Sequence, residues 1–278
     1  MPVLSAGEGP VLSAGEGPVL SLVDGKVAAI ALNTFREAVR DRILYAILIF
    51  ALVMLAGSTI LVTISVGGEE KIIKDLGLTC ISIFGLMIAV FLGIGLVSKE
   101  IEKRTVYTVI SKPIHRYQFI LGKYLGLVLT LLANVAVMAL GLIGLAYLWE
   151  GTLSPRLVLA VLFIFLELML VTAIALLFST FSSPTLSAIF TLCLLVAGHL
   201  SSDLRLFAAR FGGRLMKAAA QALYLLLPNL SRLNLKDQAV HSLGIDGGTT
   251  MLSLLYAMCY IAALVLAAMA IFQQRDFK

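Results

Sequence analysis

The chain has 278 residues, of which 60% are hydrophobic and 13% charged. Soluble domains use roughly 45–50% apolar and about 25% charged residues, so a soluble globule is excluded. The net charge of +5 is scattered through short segments between apolar runs, which fits membrane orientation and offers no basic face to a nucleic acid.

In chain order, the octapeptide PVLSAGEG occurs at Pro2 to Gly9 and again at Pro10 to Gly17, followed by PVLS. Rich in Gly, Ser and Pro, residues 1–26 read as a disordered tail. From Val27 to Arg42 the apolar positions Ala28, Ala31, Leu32, Phe35 and Val39 recur at helical spacing, with Arg36, Glu37, Arg40 and Asp41 on other faces. This predicts an amphipathic helix lying flat in the cytoplasmic headgroup layer.

Apolar runs then cover Ile43 to Val66, Leu76 to Val97, Tyr124 to Trp149, Leu157 to Phe178, Thr185 to Leu200 and Met251 to Phe272. A bilayer core roughly 30 Å thick needs about 20 residues of helix, and backbone polar groups cannot be left unpaired in lipid. Non-alternating runs of this length must be helices. The expected fold is therefore all-α: a polytopic membrane protein with six transmembrane helices in one domain, residues 27–278.

Basic residues set the expected orientation. Lys26, Arg36, Arg40 and Arg42 precede the first span, six more lie between the second and third, and Arg275 and Lys278 follow the last. Only Lys71, Lys74 and Arg156 fall in the short segments on the other side. Both termini are expected in the cytoplasm. The segment Ser201 to Thr250 strains this rule, because it falls outside yet carries Arg205, Arg210, Arg214, Lys217, Arg232 and Lys236. Its stripe of Leu204, Phe207, Phe211, Leu215, Ala218, Ala222 and Leu225 predicts an amphipathic segment that lies on, or dips into, the outer membrane surface, ended by Pro228.

Candidate chemistry is sparse. There is no phosphate-binding loop, no H-E-x-x-H zinc motif and no nucleophile elbow; His115, His199 and His241 are far apart in sequence. Cys80, Cys193 and Cys259 each fall inside an apolar run without metal-ligand spacing, so no cofactor or metal is expected. Glu167 is the one carboxyl well inside a span. It should face the bundle interior with a partner, either as part of a translocation path or in a structural hydrogen bond to a polar group such as Asn134.

The stretch Ser98 to Lys123 combines charge with Val106, Tyr107, Val109 and Ile110, a mixture suited to docking. Glu100 and Arg104 have the favourable i, i+4 spacing, and Pro113 interrupts the helix. The sequence KEIEKRTVYTVISKPIHRYQFILGKYLG, from Lys99 to Gly126, resembles the signature of permease subunits of the type-2 ABC exporter family: charges after the second span, then SKP, then GK entering the third. The resemblance extends over the chain beyond the tail. It implies two permeases, identical or different, working with two cytoplasmic ATP-binding subunits, and a coupling helix between spans two and three.

On this reading Glu100, Glu102, Lys103 and Arg104 frame an ATPase-docking surface, with Lys112, Pro113, His115 and Arg116 at its tip, and Asn134 and Glu167 are candidates for the path. The chain would be the membrane subunit of an exporter and no enzyme itself. An ATP-independent secondary transporter is the main alternative, disfavoured by the single intramembrane carboxylate and the lack of an internal repeat. A membrane-embedded enzyme is disfavoured by the empty motif search.

Overall fold

The computed structural model describes residues 18–64, 69–102, 115–151, 154–211, 227–241 and 246–274, with a few isolated positions between 213 and 244. Its elements are α1 (Pro18–Val39), α2 (Arg42–Ile64), α3 (Glu69–Glu102), α4 (Arg116–Glu150), α5 (Pro155–Phe181), α6 (Pro184–Phe211), a 3-10 turn (Leu230–Leu233), α7 (Lys236–Val240) and α8 (Gly247–Gln274). Six of these, α2 to α6 and α8, are long and apolar enough to cross a membrane, as the hydrophobic runs required.

The ends of the helices follow local rules. Gly151 stops α4 in the left-handed conformation, φ 67°, with its N–H bonded to the Tyr147 carbonyl. Pro155 opens α5 where its missing N–H costs nothing. Ser182 is extended and Pro184 starts α6, so α5 and α6 form a hairpin with only Ser182 and Ser183 between them. Helices α2, α4 and α6 begin, and α3, α5 and α8 end, at what we term the α1 end; residues 227–241 lie toward the opposite end.

Packing places α5 at the centre. In its apolar stretch 72% of residues are buried, against 22% in α2, α6 and α8, whose outward faces are left to the bilayer or to other subunits. Small residues allow the close approach of α3 to α5: a Cβ at Gly93 would stand 2.8 Å from the Ala175 methyl, and one at Gly85 would press on Leu168.

Two elements depart from the sequence-based expectation. In α1 the buried stripe is Val27, Thr34 and Ala38, with Ile30 and Ala31 half-buried, whereas Ala28 and Leu32 are exposed. The helix is rotated because what it packs against is two glycines of α4, which favours its small side chains over its large ones. Thr34 is accommodated there by bonding its hydroxyl to the Ile30 carbonyl, 2.9 Å.

The second departure lies in residues 201–250. Leu204, Phe207 and Phe211 belong to a continuation of α6, which runs unbroken from Pro184. Beyond Pro228, where the surface segment was expected to end, the chain is packed inward: Asn229, Leu230, Leu233, Leu235, Ala239 and Val240 are all buried. Gly198 admits them, since a Cβ there would stand 2.7 Å from the Pro228 carbonyl and 3.0 Å from Leu230 Cδ1. Gly198 is fourteen residues into α6, roughly 21 Å along it at 1.5 Å per residue, so the segment enters the helix bundle. Leu215, Ala218 and Leu225 lie outside the described residues.

Candidate functional site

The connection between α3 and α4 is shorter than the hydrophobicity profile implies. Ser98 to Glu102 complete α3, and α4 begins at Arg116, so Tyr117 to Lys123 are its first two turns. Glu100 and Glu102 therefore sit on the last turn of α3. Lys103, Arg104, Lys112 and Pro113 lie outside the described residues.

At the other side of the connection, His115 is the extended residue before α4, and its backbone N–H donates to Gln118 Oε1 at 3.1 Å. Its ring stacks on Tyr117. The Arg116 guanidinium donates to the Gln273 carbonyl at 3.1 Å, supplying a partner to one of the last carbonyls of α8. Three residues on, Phe119 stacks on Phe272 with ring centroids 5.8 Å apart. The base of the connection is thus clamped to the end of α8.

Lys123, which the sequence placed at the end of the docking segment, has a different situation. It is 2% exposed, with Nζ 3.7 Å from Glu37 Oε2 on α1 and 5.8 Å from the centre of the Phe119 ring. On either side of it, a Cβ at Gly122 would meet Ile30 at 2.7 Å, and one at Gly126 would meet the Ala31 carbonyl at 2.6 Å. The GKYLG motif is a small-xxx-small seat for α1, with the lysine pairing to an acid on the same helix.

The second candidate lies deep in the bundle. Glu167 on α5 is buried, and its Oε1 is 3.2 Å from His199 Nε2 on α6. The other ring nitrogen, Nδ1, is 3.3 Å from the Leu195 carbonyl. The hairpin explains the meeting, because Glu167 is fourteen residues before Phe181 and His199 fifteen after Pro184, at one depth on adjacent helices. Lys236, at the start of α7, is close enough to feel Glu167 and also Asp75 of α3. Burial pushes its ammonium below the ordinary lysine range, and the carboxylates of Glu167, Asp75 and Asp237 oppose that shift.

Asn134 is buried on α4, but its amide nitrogen donates to the Thr130 carbonyl at 2.8 Å and its Oδ1 has no hydrogen-bond partner among the described residues. The structure therefore pairs Glu167 with His199 and not with Asn134. His199 was overlooked because distance along the chain is a poor guide across a helical hairpin. Counting outward from the Ser-Ser-Pro turn would have found it.

Five apolar helices around a central α5, with polar side chains engaged in helix-to-helix contacts, define a multi-pass membrane protein. The chain belongs to the ABC-2 transporter family: the family described as ABC-2 family transporter protein matches residues 28–277, from α1 to beyond the end of α8. It is a membrane permease of an ABC transporter. Comparison with curated proteins gave no match.

Proposed function

We propose that this permease is the translocating subunit of an ATP-driven exporter, docking a separate ATP-binding subunit through the α3–α4 connection and pairing with a second permease. Its orientation on this reading puts the α1 end, with both termini and the connection, in the cytoplasm of the cell. The observation that carries the reading is the match to the ABC-2 family over residues 28–277, in a chain whose sequence contains no phosphate-binding loop. Hydrolysis then belongs to a partner, and the permease converts nucleotide-driven movement of that partner into repacking of its helices.

The layout at the connection supports this division of labour. A force applied between Glu102 and His115 is passed directly to α3 and α4, to α8 through Arg116 and Phe119, and to α1 through the seat beside Lys123. The path candidates Asn134 and Glu167 lie mid-helix, at the depth where a cargo must be handed across. The mixture of charged and apolar residues from 100 to 116 suits an interface in which charges fix partner and register.

The reading is tested by reversing Lys103 and Arg104 to Glu together, in the chain coexpressed with its ATP-binding subunit. Membrane insertion, measured alongside, should persist while copurification of the ATPase and ATP-dependent transport fall. Copurification and transport at wild-type levels would remove the connection as the docking site.

A further inference from the structure

His199 has a hydrogen-bond requirement that fixes a proton. Its Nδ1 is 3.3 Å from the Leu195 carbonyl, which can only accept, so this contact is a hydrogen bond in the tautomer or ion that carries hydrogen on Nδ1. Its Nε2 faces Glu167 Oε1 at 3.2 Å, and an ionised carboxylate is also only an acceptor. Both contacts close at once in two ways: an imidazolium donating to a carboxylate, or a carboxylic acid donating to a neutral imidazole. Both contain one proton more than a carboxylate beside a neutral ring, and the proton belongs to the pair as a whole.

We propose that Glu167 and His199 form a one-proton site in the middle of the bundle whose occupancy holds α6 against α5 and, through α6, seats residues 227–241. The ligand is the proton itself, exchanged with water. With it bound the pair has no net charge. On its release the pair carries one negative charge, and the single hydrogen left on the ring can serve Leu195 or Glu167 but not both, so the closed arrangement is lost.

The surroundings couple that loss to the inserted segment. The backbone carbonyl of His199 accepts the Ser231 hydroxyl at 2.8 Å, and the preceding Gly198 is the position against which Pro228 and Leu230 pack. Any parting of α6 from α5 at this level therefore disturbs the 3-10 turn. The freed carboxylate meets a competing cation on the same segment, Lys236 at the start of α7.

The charged groups coupled to the site are Asp75 on α3 and Asp237 on α7, both acting on Lys236; the nearest polar groups of the segment's other neighbour, α8, include Tyr256. Tyr256 accepts the Asn229 N–H at 2.9 Å, so α8 holds the segment from its other side. His199 is 39% exposed at its side chain.

The test uses the full chain in lipid nanodiscs, where both faces meet solvent and neither an ATPase nor a topology is assumed. Cys80, Cys193 and Cys259 are replaced by Ala, and Ser201→Cys, a buried and nearly isosteric change on α6, reports separation of the helices. Its maleimide labelling rate is divided by that of Gly244→Cys, an exposed position with open space around it, which removes the thiol's own pH dependence. Between about pH 5 and 8, where histidine titrates, the ratio should rise about tenfold in an otherwise wild-type chain, as loss of a charge-assisted hydrogen bond implies.

Glu167→Gln should keep the ratio low and flat, because its amide can donate to Nε2 without a titrating proton. His199→Ala should make it high and flat. A flat wild-type ratio would overturn the proposal, as would a Glu167→Gln chain that follows the wild-type curve. The second outcome remains decisive where His199→Ala fails to fold.

Discussion

Asp246 closes the first turn of α8 by accepting the N–H of Thr249 at 3.2 Å and of Gly248 at 3.3 Å. These bonds favour the charged form and hold its carboxyl below the ordinary aspartate range, the Thr249 N–H foremost. A depressed folded-state pKa gives stability that is complete above the unfolded value and is lost as pH falls through the folded one. Asp246→Ala should thus lower the apparent melting temperature of the purified chain at neutral pH, with the gap to wild type closing below the usual aspartate range. Asp246→Asn should retain part of the cap and show no such closure. A pH-independent gap for Asp246→Ala would mean that the carboxylate's charge contributes nothing there. The Glu167–His199 pair was half legible: the cost of an intramembrane carboxyl demanded a partner, but naming it required the depth relation across the α5–α6 hairpin.

At the scale of elements, each of the six apolar runs reappears as a helix because lipid leaves the backbone no other structure. The extents of α3 and α4 were less readable. Hydrophobicity marks where a helix leaves the hydrocarbon, and both helices continue past that point into charged sequence, through Glu102 and from Arg116. The rotation of α1 was hidden for another reason: its large apolar residues suggested one face, while the partner, a glycine pair on α4, selects the stripe of Ala31, Thr34 and Ala38. This makes a prediction. Gly126→Val forces a side chain against the Ala31 carbonyl, which is backbone and cannot swing aside, so overpacking should cost about 1–3 kcal/mol and free α1 from α4. Limited trypsin digestion should then cut faster at Lys26, Arg36 and Arg40. Gly144→Ala, at a position with open space, should leave the digestion rate unchanged. Equal rates in wild type and Gly126→Val would show that α1 is held by something other than this seat.

For the whole molecule the unresolved tension in the sequence was the basic content of residues 201–250, on what the count of spans makes the outer side. The structure gives two of those residues local work. The Arg232 guanidinium donates to the Tyr224 hydroxyl at 2.9 Å and lies over the Tyr256 ring, and Lys236 is drawn into the bundle toward Glu167 and Asp75. Lys74, counted among the few basic residues of the far end, is itself buried. Charges held in the fold contribute little to the orienting bias, which acts on flanks of the spans during insertion. The flanks that remain favour the α1 end as cytoplasmic, with Arg36, Arg40, Arg42 and the connection on one side. Helix α6 agrees with a far end beyond the membrane: its 28 residues extend roughly 42 Å, well past a hydrocarbon core of about 30 Å. Single cysteines in the chain lacking Cys80, Cys193 and Cys259 decide the matter. A membrane-impermeant maleimide applied to intact cells should label Gly244→Cys at once and Ala28→Cys, on the exposed face of α1, only after the membrane is opened. The opposite pattern would invert the permease and place the α3–α4 connection outside, where no ATP-binding subunit could reach it.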